Sequence, residues 1–219
     1  MKPHTATLIR RDTLLFVSLM FNALGIDIVT IAALGTSPIS SVPYVVSKMA
    51  PLTFGELTFV LNMLFLAGQA LLLGPKRWKA NRSFLLLQVP VLTLFSVFVD
   101  LWMHLLAEMD DARYISKIAV LVGGCAILAL GISLSVKANV VMNPGEAIVK
   151  VLSDRINLAF GWTKFIFDCS LVVVAISICY IVLGHIVGLR EGTVVAALLV
   201  GPLERLIYPH CRFLDRFVN

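Results

Sequence analysis

Long apolar runs, each bounded by charge, glycine or proline, set the rhythm of this chain. Stretches of about 18 or more predominantly apolar residues read as transmembrane helices. Six such spans are predicted, at about 13–35, 55–74, 83–107, 114–136, 162–184 and 192–208. Two shorter segments intervene, at about 38–50 and 144–158, each opened by a proline and too short to cross comfortably. On the second, Ala147, Ile148, Val151, Leu152 and Ile156 form an apolar face and Lys150, Ser153, Asp154 and Asn157 a polar one. That pattern suits a helix lying in the interface; a re-entrant helix is the other reading, and both stay open for 38–50 as well.

The pattern is written twice. Sliding the chain by 106 positions places Pro38 on Pro144, Ala23-Leu24-Gly25-Ile26 on Ala129-Leu130-Gly131-Ile132, and Phe54-Gly55 on Phe160-Gly161. Between Ala23 and Phe59, 12 of 37 ungapped positions are identical, and matches at proline and Phe-Gly are not products of an apolar composition. The fold expected is all-α: a polytopic bundle in a single membrane domain over 1–219, with repeat 1 at about 13–107 and repeat 2 at about 114–209.

Composition agrees, at 59% hydrophobic, 14% charged and a mean hydropathy of +0.94, against about 25% charged in soluble chains. The net charge of +5 does not point to nucleic acid, because the basic residues cluster between spans, notably in the loop Pro75–Arg82. With the N-terminus inside, 14 Lys and Arg fall on the inner side and only Lys48, Arg113, Lys117 and Arg190 outside. Both ends are then cytoplasmic. An odd number of crossings per repeat makes the second copy run upside down, as in many secondary transporters. An acidic stretch, Glu108–Asp111, separates the halves. Lys2, Arg10 and Arg11 before an apolar run resemble a signal peptide, but the run is too long for an h-region and reads as an uncleaved helix.

Several features carry the resemblance of this chain to the YczE/YyaS/YitT family of bacterial multi-pass membrane proteins. They are Ala33-Leu34-Gly35-Thr36-Ser37-Pro38, then Phe54-Gly55, then Gly192-Thr193 leading to Gly201-Pro202. The second turn, Met142-Asn143-Pro144, departs from the first by lacking Gly-Thr. The resemblance implies residence in the bacterial inner membrane and a role in transport; the additional soluble C-terminal domain of some relatives is expected to be absent.

Ser37 before Pro38 and Asn143 before Pro144 read as helix N-caps, and Glu146 completes a capping-box pattern. Gly35, Thr36, Ser37, Asn143, Gly145 and Glu146, with Asn22 and Asn62 on the spans, are therefore the candidate solute-binding residues, since helix N-termini attract anions. Asp27, Asp100 and Asp168 lie inside spans, where a carboxylate faces a bundle interior or a wet cavity, and are candidates for ion coupling; an interhelical hydrogen bond is the alternative. Asn62 is the repeat partner of Asp168. Lys137 and Glu204 suit snorkelling near the inner boundary. Cys125, Cys169, Cys179 and Cys211 read as packing residues, and no histidine pairing suggests a metal. No catalytic residues, cofactor or enzyme motif are identified. The functional expectation is a secondary transporter of a small polar or anionic solute, with a non-transporting membrane scaffold or regulatory subunit as the alternative. Small-residue faces at Gly124 and Gly131 suit internal packing or a homodimer equally.

Overall fold

The reversal at Gly74 shows how this sequence folds. A computed structural model describes residues 3–107 and 113–214, apart from the side chains of 3–7, 75–81, 212 and 213. The acidic stretch Glu108–Asp111 is outside the described residues. Helix α3 (Phe54–Leu105) is broken at Gly74, whose φ of 71° suits glycine and re-aims the chain in one step. Pro75 then stands in the first turn of the second limb, where its missing N–H costs nothing. The predicted basic loop over 75–82 is thus helical backbone, a correction that follows from one glycine sufficing for the turn. The limbs fold back on each other, with position 55 beside Asp100 and Gln69 beside Gln88.

The remaining helices among the described residues are α1 (Pro3–Ile31), α2 (Ser41–Ser47), α4 (Tyr114–Ala138), α5 (Pro144–Ile156), α6 (Phe160–Leu183) and α7 (Glu191–Ile207), with no strand. Six segments are long and apolar enough to cross a membrane: Leu8–Ile31, Phe54–Gly74, Arg82–Leu105, Tyr114–Ala138, Phe160–Leu183 and Glu191–Cys211. Their outward side chains, such as Leu71, Ile181 and Leu198, are apolar and exposed, as a lipid solvent demands. The protein is an all-α, multi-pass membrane protein.

Two corrections concern helix ends. The first span stops at Ile31 rather than near 35, because Ala33 (φ 56°) and Gly35 (φ 131°) turn the backbone away. Ser37 does not cap an α-helix: a 3-10 turn, Pro38–Ser40, follows it, and α2 begins only at Ser41. Asn143 does sit at the N-cap of α5, with Pro144 in the first turn, but makes no side-chain cap hydrogen bond. Its carbonyl accepts instead from the N–H of Glu146 at 3.0 Å and of Ala147 at 2.9 Å.

The chain divides into two compact units, and neither coincides with a repeat. The first comprises the segments up to Ser37, 101–140 and from 190 onward, and the second comprises 38–100 and 141–189. In the first unit α1 packs on α4. Gly25 lies against the backbone of Leu128, Gly131 against Asn22, and Gly124 against Val29. Rising numbers on one helix meet falling numbers on the other, so the pair is antiparallel. The contact is also reciprocal: shifting Gly25 and Asn22 by 106 gives Gly131 and Leu128. The small residues Gly124 and Gly131 are therefore spent on packing within the chain. Around them Val29, Ala32, Leu34, Leu121, Cys125 and Ala196 form the core.

In the second unit α2 packs on α6 through Val45, Ala175 and Cys179, and Leu189, beyond the end of α6, completes the cluster. Here Gly145 meets Ile39, its own repeat partner, so the two copies touch at equivalent positions. Cys125, Cys179 and Cys211 are buried and Cys169 is exposed.

Candidate functional site

Both proline turns were candidates, and they have different surroundings. In the first unit the Leu34–Ser37 turn is wholly tied down. The Leu34 carbonyl accepts from Gly192 N–H at 2.7 Å. Thr36 N–H donates to Thr193 Oγ1 at 3.2 Å, and the Thr36 and Thr30 hydroxyls bond at 2.7 Å. A Cβ on Gly35 would collide with Thr193, and its φ is left-handed as well. Arg190 donates to the Ala33 carbonyl at 3.3 Å and pairs with Glu191 at 3.1 Å. Gly192-Thr193 thus acts as a latch on the first turn, which gives a structural reason for two glycine-containing motifs 157 residues apart.

Asn22 and Asp27 belong to the same unit. Asp27 is fully buried and Asn22 is 2% exposed, on a helix that spans. The Asn22 amide nitrogen has no hydrogen-bond partner among the described residues. Lys137 lies over the Tyr208 ring at 4.5 Å, so its charge is met by an aromatic face.

The other carboxylates lie in the second unit. Asp100 accepts from Gly55 N–H and from Thr53 Oγ1, each at 2.7 Å, and so closes the N-terminus of α3. Gly55 is required there because a Cβ would strike Asp100 and the Ser96 carbonyl. Asp168 pairs with Lys164 one turn earlier at 3.4 Å, leaving its other oxygen buried without a partner among the described residues. In the first copy these positions are Thr58 and Asn62, and the Asn62 amide donates to the Thr58 carbonyl at 2.8 Å. A neutral pair in one repeat is an ion pair in the other.

The second turn opens on a cleft. Gln69 Nε2 donates to the Pro144 carbonyl at 3.1 Å and to Gln88 Oε1 at 3.3 Å, while Gln88 Nε2 returns a bond to Gln69 Oε1 at 3.2 Å. Both glutamines are buried, at 1% and 0% exposure. They are the only glutamines in the chain, almost evenly placed about the 74–82 reversal. Sequence reasoning overlooked that symmetric placement, though it was legible. Asn143 and Glu146 are half-buried beside this turn, and Gly145 is buried against Ile39 and Phe65.

Above Gln69 lies a cleft of about 200 Å³. Gln69, Leu73, Phe84 and Leu85 of the α3 hairpin form one wall; Met142, Ala147, Lys150, Val151 and Asp154 form the other. The α5 residues at 147, 150, 151 and 154 follow i, i+3, i+4, i+7 and share one face. The two faces read from the sequence hold for most of this helix, and Ser153, which is buried, and Ile156 depart from them. Its cleft face mixes charged and apolar side chains, while Gly145, Val149 and Ser153 make a buried stripe on another side. Ile156, assigned to the apolar face, is 52% exposed. Helix α5 meets the first limb of α3 through Gly145 at Phe65, through Ile148 at Gly68 and through Arg155, which donates to the Leu72 carbonyl at 2.6 Å.

Among the described residues no three His, Cys, Asp or Glu side chains gather as a metal site would require. No curated protein and no solved structure matches the chain. Residues 9–209 match the profile of a family of unknown function, DUF6198, and the chain belongs to that family.

Proposed function

We propose that this protein is a secondary transporter of a small polar or anionic solute in the bacterial inner membrane, with both ends cytoplasmic and no enzymatic activity. The observation that carries the reading is the cleft at the second turn, because one wall comes from each repeat. Transporter sites lie where repeats meet, and relative movement of the repeats would open and close such a cleft. The reciprocal antiparallel contact of α1 with α4 supports inverted copies. Asp27, fully buried in a spanning helix, supports a coupling role, since an intramembrane carboxylate is costly unless it has a task. The resemblance to the YczE/YyaS/YitT family agrees. The close-packed first unit favours the second reading, a non-transporting scaffold or regulatory subunit.

Uptake into proteoliposomes under a proton or sodium gradient separates the two. Wild-type protein should accumulate solute, and Asp27→Asn should cut gradient-driven uptake at least tenfold while leaving gradient-free exchange intact. Equal gradient-driven uptake by Asp27→Asn and Asp168→Asn would remove both from coupling. Absence of uptake across a metabolite panel would favour the scaffold.

A further inference from the structure

Lys150 and Asp154 are one turn apart on α5, both exposed, and both on the rim of the cleft. Neither makes an ion pair or hydrogen bond among the described residues. Lys before acid at i, i+4 is the weaker order for a helical ion pair. The same order and spacing on α6 does close, between Lys164 and Asp168. On α5 the two opposite charges are left open at the mouth of a recess. Beneath them the recess is apolar, through Leu73, Phe84, Leu85 and Met142.

The floor is selective in its hydrogen bonding. Gln69 has two amide N–H groups, and both are used, one on Gln88 and one on Pro144. Its Oε1 accepts one N–H from Gln88 and keeps a second lone pair. Gln69 therefore has no amide N–H left to donate to a ligand. A dianion would meet Asp154 and find no donor on Gln69, and a simple cation would meet Lys150. A molecule bearing one charge of each sign suits both charged groups. The volume is below the roughly 300–1,000 Å³ of pockets for drug-sized ligands, so the molecule is small.

We infer that the cleft binds a free zwitterion with an apolar side chain, that is, an α-amino acid of the leucine or phenylalanine type. Its carboxylate pairs with Lys150, its ammonium group with Asp154, and its side chain enters the recess. This assignment rests on the reading of the chain as a solute carrier and specifies the solute class.

The test is calorimetric titration of the full chain in phosphatidylglycerol nanodiscs with L-phenylalanine and L-leucine. Phenethylamine, which lacks the carboxylate, and 3-phenylpropionate, which lacks the ammonium group, are the comparators. Both amino acids should bind, and both comparators should bind at least tenfold more weakly. Lys150→Gln should weaken phenylalanine at least tenfold and leave phenethylamine unchanged; Asp154→Asn should weaken phenylalanine and leave 3-phenylpropionate unchanged. Both side chains are exposed, so thermal unfolding of the variants should match wild type. Failure of both amino acids to bind, or wild-type affinity in both variants, overturns the assignment. Heat from short-chain phosphatidylethanolamine but not from the amino acids assigns the cleft to a lipid headgroup and also overturns it. The carrier reading fails separately: amino-acid binding without uptake would sink transport alone. Uptake of another solute, dependent on Asp27 and without amino-acid binding, would sink this inference alone.

Discussion

The two proline turns began as one pattern and became a lock and a mouth. At the first, Gly35, Thr36 and the Leu34 carbonyl are held by Gly192-Thr193 in the interior of the first unit. At the second, the Pro144 carbonyl is held by the Gln69–Gln88 pair, and the cleft opens beside it. The positions that differ explain the divergence. A shift of 106 puts Gly192-Thr193 on Leu86-Leu87, which cannot hold a turn by hydroxyl or by close approach. The same shift takes Gln69 and Gln88 to Ala175 and Val194, which have no polar group to offer. Repetition kept a proline after each turn, and the task at each turn was set by residues outside the repeated motif.

The largest effect should come from unlocking the first turn. Gly35→Val would place a β-branched side chain at φ 131° and against Thr193. Backbone strain of about 1–3 kcal/mol adds to overpacking of about 1–3 kcal/mol. Thermal unfolding in detergent should drop sharply or yield no folded protein. A melting temperature equal to wild type would show that the latch holds nothing.

Much of this contrast was readable in advance and some was not. The six spans and two short segments followed from apolar runs, because lipid imposes length and composition on anything that crosses it. Helix ends were less legible. Neither the left-handed Ala33 nor the 3-10 turn at Pro38–Ser40 has a local sequence signal, and the bond that holds the Leu34 carbonyl comes from Gly192, 158 residues away. Asp100 was legible as a carboxylate inside a span but not as the cap of a helix start 45 residues earlier. Hydrophobicity sorted the sides of α5 except at Ser153, which is buried, and Ile156, which is exposed, because neighbours decide which stripe is covered. Asn22 and Asp27 were placed correctly on a spanning helix; that both are almost wholly enclosed needed the packing of α4.

A middle-sized effect should come from the pair that holds the second turn. Gln88→Leu leaves the Gln69 carbonyl without its donor in a buried setting, at about 1–3 kcal/mol. The double variant Gln69→Leu with Gln88→Leu removes both orphans, but loses the bond to Pro144. A double-mutant cycle on unfolding in mixed micelles should therefore give a coupling of about 0.5–3 kcal/mol. Strict additivity would mean that the reciprocal amide bonds contribute nothing.

The smallest effect tests the two Phe-Gly dipeptides, which are identical in sequence and unlike in use. Gly55 is pressed against Asp100 and the Ser96 carbonyl, whereas a Cβ on Gly161 meets nothing within 4 Å. The partner position of Asp100 in the second repeat is Leu206, so no carboxylate caps the start of α6 in the same way. Gly161→Ala should thus be neutral or stabilising by up to about 1 kcal/mol, the helix propensity difference. Gly55→Ala must instead displace Asp100 from its two hydrogen bonds and should destabilise. The sign of the difference between these two variants, read from paired thermal melts, is the sharpest measure of how far the copies have diverged. If both were neutral, Asp100 would not be holding the α3 start, and its carboxylate would return to the candidates for coupling.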